Sequence, residues 1–482
     1  MSARVPSPSA LYDVLPMPEN ELPNVALLRG CPRSGTTWLA EIVNTSPEAA
    51  VMYEYSLGAL VRDLEPTLRY ANWHRALRRK IVSTPPEISQ NGAARNGHHN
   101  GRGDAYVNTR VAPLIVRFPT PERLNAIVAA VVAASVDKAA LRVIGSKSAG
   151  RSGERDQTVL EPLFPRISYL YTARSPLATI NSMLNRRNLT RLGFDEFFIG
   201  DVDEAIREYR QFARMLVSHA AQHPQTCMVV KYEDLVAEFD ATVRTVERFL
   251  GVQFDVLVHP NEYPDLVQMP AATRSVLNAD ENAAVLDAFG DVIASWDERV
   301  LTGLAPEVVG ALADCVDTIE PGVKYSYDAL NGERHFLGLG WSELEAKGVW
   351  SEALAADLIF RVPCDGDYAV CADVRCFLDG EMTSQAVSLE LNGEEVFRAL
   401  AVASDSELLA SPNGIALFPG STGRTIVIGP LRLRTGRVNR LVFRVGRITS
   451  PQELGVSTDE RKLGIFLRSL LLLDASEAPR PA

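Results

Sequence analysis

The chain has 482 residues, enough for two or three domains with sizeable hydrophobic cores. Its 49 basic and 60 acidic residues leave a formal charge of −11, which argues against a general nucleic-acid binder or a protein that coats polyanions. An anionic ligand would have to be held by a local basic pocket. In chain order, residues 1–22 read as a flexible, proline-punctuated segment with no apolar stretch of signal-peptide length. From 23 to 328 short apolar strands alternate with helical stretches, which predicts an α/β domain built on a parallel sheet. Strands are expected at Val25–Arg29, Leu141–Gly145, Ile167–Thr172 and Met228–Tyr232. Helices are expected over Asp203–His223, with Ile206, Tyr209, Phe212, Ala213 and Leu216 on one face, and over Asp240–Leu250, stopped by Gly251. Residues 83–104, rich in Pro, Gly and Asn and without periodicity, read as a mobile surface insert. The longest apolar run, Ile127–Val136, is closed by Asp137 and Lys138 and is far too short to span a membrane.

After Ala329 the pattern changes to short strands separated by Gly, Pro, Asn or Asp. They fall at Asp367–Phe377, Val387–Asn392, Thr425–Ile428, Leu431–Arg434, Leu441–Val445 and Gly464–Leu473. Residues 329–475 are therefore expected to form an antiparallel β-sandwich, with 476–482 as a tail. Six dispersed cysteines (Cys31, Cys227, Cys315, Cys364, Cys371 and Cys376) show no Cys-x-x-Cys or zinc spacing. Reduced thiols, a cytoplasmic location and no protein metal are the expectation. His98 and His99 lie within the insert and have no further ligands flanking them.

The most informative segment is Val25-Ala-Leu-Leu-Arg29-Gly30-Cys31-Pro32-Arg33-Ser34-Gly35-Thr36-Thr37-Trp38-Leu39. A strand, a tight loop and a helix in succession place free N–H groups and a helix N-terminus around a phosphate. Gly30 and Gly35 have Walker A spacing, but Thr36 follows where a nucleoside triphosphatase needs Lys. Arg33 is the loop's fixed positive charge. A second basic segment, Tyr169-Leu170-Tyr171-Thr172-Ala173-Arg174-Ser175-Pro176, ends a predicted strand. In the helix after it Ser182 and Arg186 are spaced i, i+4 and share a face. Arg174 can join them, because crevice sites in parallel sheets form at the carboxyl ends of strands.

Pro32-Arg33-Ser34-Gly35-Thr36-Thr37 resembles the 5′-phosphosulfate loop of sulfotransferases that use 3′-phosphoadenosine 5′-phosphosulfate (PAPS), in the form found in tyrosylprotein and bacterial members. Arg174, Ser182 and Arg186 match the family's 3′-phosphate segment. The resemblance spans roughly residues 24–328 and implies a P-loop-type fold, PAPS as sulfuryl donor and adenosine 3′,5′-bisphosphate as product. It assigns Arg33, Ser34, Gly35, Thr36 and Thr37 to the 5′-phosphosulfate, and Trp38 either to adenine or to core packing. Tyr232, in Val230-Lys231-Tyr232-Glu233-Asp234-Leu235, would line the nucleotide pocket, while Glu233 and Asp234 lead into the next helix. Counted without gaps from Arg33, the base of the tyrosylprotein group falls on Glu54, and Asn44-x-x-Pro47 fits that group's turn after the loop helix. Apolar and aromatic neighbours suit a carboxylate to that work by raising its pKa. Lys147 matches the family's charge-stabilising lysine, although Ser148-Ala149 replaces the usual Asp-Pro after it. His74, in Asn72-Trp73-His74-Arg75, reads as a polar helix face. The late glycine-rich basic loop of cytosolic relatives is not visible, and Thr273-Arg274-Ser275 stands in its region.

Gly340-Trp341-Ser342 and Gly348-Val349-Trp350-Ser351 resemble the opening of a β-sandwich module found in bacterial polysaccharide-synthesis proteins. That resemblance implies a carbohydrate acceptor, an oligosaccharide or polysaccharide in a bacterial cytoplasm. Trp341 and Trp350 would then either stack on sugar rings or fill the sandwich core. Self-association through this domain is a further expectation. Three rivals remain: an acceptor that is a peptide tyrosine or a small alcohol or phenol, a P-loop nucleotide kinase, and a non-catalytic glycan-binding protein.

Overall fold

The structure, a computed structural model, describes residues 22–53, 57–61, 64, 121–136, 138, 141–149, 159–185, 199–255, 276–330, 333–378, 384–402, 416–419 and 424–477. Glu54, His74, the 83–104 insert, Arg186 and Thr273–Ser275 lie outside the described residues, as does the chain before Leu22.

The first sheet is built from β1 (Asn24–Gly30), β2 (Ala49–Tyr53), β3 (Val143–Ala149), β4 (Ile167–Ala173), β5 (Cys227–Lys231) and β6 (Gly303–Leu304). Their spatial order is β2-β3-β1-β4-β5-β6. The first five strands are parallel and β6 is antiparallel. The helices are α1 (Thr36–Asn44), α2 (Pro121–Val136), α3 (Pro176–Leu184), α4 (Val202–Gln222), α5 (Tyr232–Ala237), α6 (Phe239–Leu250) and α7 (Ala279–Ala294). β1 is buried on both faces, as a central parallel strand must be. Val25 and Leu27 join a core with Val128 of α2, Leu216 of α4 and Val285 of α7. Ala26 and Leu28 join another with Leu39 of α1 and Val246 of α6. The sheet is thus sandwiched between helices, in the α/β class expected from sequence.

Local chemistry fixes the elements around β1. The side chain of Asn44, at the end of α1, donates to the carbonyl of Val51 at 2.9 Å and accepts from its N–H at 2.6 Å. Lys138 Nζ donates to the carbonyls of Asn44, Ser46 and Ala49 at 2.8, 2.6 and 2.6 Å. The turn from α1 into β2 is therefore clamped from both sides, and β2 ends at Tyr53, one residue before Glu54.

The remaining strands are β7 (Lys324–Ser326), β8 (Trp341–Glu345), β9 (Gly348–Ser351), β10 (Ala355–Phe360), β11 (Gly366–Cys376), β12 (Ser384–Leu391), β13 (Glu394–Val402), β14 (Ala416–Pro419), β15 (Arg424–Leu433), β16 (Asn439–Val445) and β17 (Ile465–Asp474). They form two sheets, β10-β16-β12-β13-β14 and β15-β11-β17-β9-β8, with β7 also on β17. Pairing is antiparallel apart from β13 with β14. Val370 and Val374 of one sheet share a core with Leu389, Leu441 and Phe443 of the other, which makes the pair a sandwich. Sheet membership begins at Lys324, five residues before the sequence pattern changes, because a three-residue strand carries no readable alternation.

Candidate active site

β1 lies where the strand order reverses, between β3 and β4. Its carboxyl end is the place where an open α/β sheet leaves a crevice for ligand. The loop after it is shaped by close contact. A Cβ on Gly30 would fall 2.4 Å from Thr172 Oγ1 and 2.5 Å from Ser34 Oγ, so the position accepts only glycine. Arg33 and Gly35 both have left-handed backbone, at φ 73° and 98°. A Cβ on Gly35 would also meet the Tyr232 ring at 2.4 Å. Strain of this kind persists only where the surroundings over-determine it, and such positions cluster at ligand clamps. The N-terminus of α1 has no side-chain cap and no acidic residue in its first turn. Its leading N–H groups and its dipole therefore favour an anion.

The two basic motifs meet here. Arg33 Nε donates to Ser182 Oγ at 3.3 Å, and Arg174 Nη1 donates to the Arg33 carbonyl at 3.2 Å. The Arg174 guanidinium also lies over the Tyr232 ring, 4.5 Å from its centroid. Burial pushes the Tyr232 phenol up, with Arg174 opposing, so the ring carries a neutral hydroxyl. Ser34 is fully buried, its Oγ 2.7 Å from Thr172 Oγ1, while Thr37 is exposed at the first turn of α1. Cys31, inside the loop, is an inert thiol, since burial pushes its pKa well up. Lys147 is buried near the carboxyl end of β3, paired with Leu28 on one side and Tyr53 on the other.

Trp38 is placed differently from the adenine-stacking alternative. It is 6% exposed, its ring stacked on Phe239 at 5.9 Å and edge-on to Tyr232 at 5.9 Å. Its face is thus taken by the α6 core. In the sandwich, Trp341 and Trp350 are 3% and 7% exposed. Trp341 donates its Nε1–H to the Asp357 carbonyl at 2.7 Å, and Trp350 packs on Phe466. Both fill cores, and neither presents a face to a sugar. A cavity of 1240 Å³ opens at the opposite edge of the first sheet, around Asn24, Arg142, Arg166, Ser168 and Thr226. It holds none of the site residues and lies at the amino ends of the strands, away from the crevice.

Sequence reasoning missed Thr172 as the partner of Ser34, and it read Glu233 only as a lead into the next helix. It also gave Tyr209 no role beyond a helix face. These contacts join segments far apart in sequence, which no local pattern announces.

An α/β sheet with a lysine-free, arginine-bearing loop at its switch point defines a P-loop-type fold. Residues 26–256, a little under half of the chain, match the model of the sulfotransferase family. It is 28% identical over 160 residues to protein-tyrosine sulfotransferase A of Caenorhabditis elegans, covering 33% of this chain and 38% of that one. It is 26% identical over 106 residues to protein-tyrosine sulfotransferase 1 of Danio rerio, covering 22% and 29%. The match therefore spans well under half of either relative's length. Among solved structures, the sulfotransferase domain of the Synechococcus PCC 7002 olefin synthase aligns at 20% identity and a TM-score of 0.29, covering 57% of this chain and 97% of that one.

Proposed function

We propose that the chain is a PAPS-dependent sulfotransferase acting on an acceptor hydroxyl. The observation that carries this reading is the hydrogen bond from Arg33 to Ser182, which brings the two basic motifs together at the carboxyl ends of the neighbouring strands β1 and β4. The donor set fits a nucleotide with phosphates at both its 5′ and 3′ positions. An uncapped helix N-terminus and Arg33 would hold the 5′ group, and Arg174, Ser182 and Arg186 the 3′-phosphate. Ser34, Gly35, Thr36 and Thr37 supply the loop, Tyr232 forms the wall, and Trp38 supports that wall from the core.

When bound, the donor supplies a sulfuryl group joined to a phosphate. Arg33 and Lys147 offset the negative charge that develops there. Glu54 takes the acceptor hydroxyl's proton. Residues 23–328 would form the catalytic domain, 329–475 the appended sandwich, and the protein would work in a cytoplasm without a metal.

A carbohydrate is the first reading of the acceptor, resting on the sandwich module and not on Trp341 or Trp350. Tyrosine is the second, favoured by the curated relatives, both named as protein-tyrosine sulfotransferases.

Adenosine 3′,5′-bisphosphate should raise the melting temperature without added metal, through preferential binding to the folded state. Equal stabilisation by magnesium-ATP would favour the kinase reading instead. Glu54→Gln should lower turnover by about two to four orders of magnitude with nucleotide affinity little changed. Near-normal turnover in that variant would move the base elsewhere. A screen with radiolabelled PAPS against glycans, tyrosine peptides and phenols decides the acceptor.

A further inference from the structure

The carbonyl of Arg174 and the N–H of Ser175 belong to one planar peptide unit, and each edge of that plane is held by a side chain from a different helix. Tyr209 of α4 donates its hydroxyl to the Arg174 carbonyl at 2.7 Å. Glu233 of α5 accepts the Ser175 N–H through Oε1 at 3.1 Å. Tyr209 is fully buried, and its ring is edge-on to Phe212 at 5.7 Å and to Phe289 at 5.3 Å, so its hydroxyl has a fixed place. Burial keeps that phenol protonated, a permanent donor. Ser175 is the N-cap of α3, yet its own side chain makes no capping bond, and Pro176 follows without an N–H. The Glu233 carboxylate accepts from the N–H of this N-cap residue and so lies at the helix N-terminus, where a negative charge suits the helix dipole. Its other oxygen, Oε2, is buried with no hydrogen-bond partner among the described residues, a cost that invites a functional explanation.

We infer that Tyr209 and Glu233 are positioning residues for nucleotide recognition, locking the Arg174–Ser175 peptide so that Arg174 and Ser182 face the 3′-phosphate together. The peptide is the root of both groups. On one side Arg174 reaches the Arg33 carbonyl and the Tyr232 ring. On the other, α3 carries Ser182 to within 3.3 Å of Arg33. A rotation of this plane swings the guanidinium and the helix axis at once and separates the two phosphate subsites. The inference rests on the sulfotransferase reading above and adds to it two residues that need not touch the ligand.

The test uses the full-length chain and calorimetric affinities for adenosine 3′,5′-bisphosphate and adenosine 5′-monophosphate. Tyr209→Phe keeps the buried ring and deletes the hydroxyl, and Glu233→Ala deletes the acceptor. Each should weaken the bisphosphate about fivefold to tenfold, with the monophosphate changed less than about twofold, the size expected for one lost hydrogen bond acting on one subsite. Glu233→Gln, which retains an acceptor oxygen, should recover part of the loss and keeps the test open should Tyr209→Phe fail to fold. Equal weakening of both nucleotides would mean a general structural role and would overturn the inference, as would no weakening of either. Wild-type protein that binds the two nucleotides equally would overturn the 3′-phosphate assignment and this inference with it. Wild-type preference for the bisphosphate, kept unchanged in the variants, would overturn the inference alone.

Discussion

At the carboxyl edge of the first sheet, Arg33 and Gly35 hold left-handed backbone and the N-terminus of α1 is left uncapped. At the junction with the sandwich the reverse holds. Asp357, fully buried, accepts from Ser218 of α4, from the Leu339 N–H at 2.8 Å and from Arg440 at 2.6 Å. Arg214 of α4 pairs with Asp317 and donates to the carbonyls of Leu337 and Arg334, both at 3.2 Å. The first region holds left-handed loop backbone and an uncapped helix end, whereas the polar groups at the junction hold the two regions together. α4 serves both ends, through Tyr209 toward the phosphate segment and through Arg214 and Ser218 toward the sandwich. The sandwich is therefore docked on α4.

The hardest blow to this contrast is Asp357→Ala. It leaves Arg440 and Ser218 facing a void and should cost about 3–5 kcal/mol of stability, as the loss of one partner from a buried charged pair does. Chemical denaturation measures that loss. Nucleotide affinity of the folded variant should stay unchanged if the junction is purely structural. A clear drop in affinity would show that the two regions are coupled through α4 and would collapse the distinction.

A matched pair of glycines sharpens it. Gly35 and Gly393 have nearly the same left-handed φ, 98° and 93°, but an added Cβ meets Tyr232 at the first and nothing within 4 Å at the second. Gly393→Ala should cost only backbone strain, about 1 kcal/mol. Gly35→Ala should cost about 1–3 kcal/mol and should also abolish the nucleotide-induced rise in melting temperature. Equal costs with the nucleotide response intact would remove Tyr232 as the wall of the loop.

The smallest expected effect is in pH dependence. His219, buried beneath the first sheet with its Nδ1 on the Tyr171 hydroxyl, has a pKa well below the ordinary 6.5, chiefly through desolvation. The unfolded chain takes up a proton below about pH 6.5 that the folded one refuses, so stability falls on acidification from there and is level above it. Burial also lowers His223 and His335, so wild type carries several contributions. His219→Gln should flatten the slope of denaturation midpoint against pH below 6.5. An unchanged slope would place the acid sensitivity in other groups, among them His223, His335 and the depressed carboxylates Glu453 and Asp459.

Much of the fold was legible. Val25–Arg29 became Asn24–Gly30, and Asp203–His223 became Val202–Gln222, because continuous apolar runs and a clear helical period encode burial directly. β2 was not read, since five residues between a turn and an acidic position leave little periodicity. α7 was also missed although Asn278 and Glu281 form a capping box at its start. Gly429-Pro430 read as a break between two strands, but β15 runs through it, with a register shift opposite between Tyr368 and Val370. At the candidate site, the turn at Arg33 and Gly35 was readable because it is a local backbone shape written in contiguous residues, and the structure brings Arg174 and Ser182 beside it.

Local sequence thus determined the strand–loop–helix turn at Gly30–Gly35, the strand-and-helix alternation around it and the change to β structure near residue 329. Tertiary structure decided that Ser34 leans on Thr172, that Trp38 lies against Phe239, and that Trp341 and Trp350 are core residues. It also decided that Tyr209 and Glu233 hold one peptide from opposite edges. The physical reason is range. Backbone conformation and hydrophobic period are set by neighbours a few residues away, whereas which polar group meets which is fixed only when the sheet brings distant strand ends to one edge.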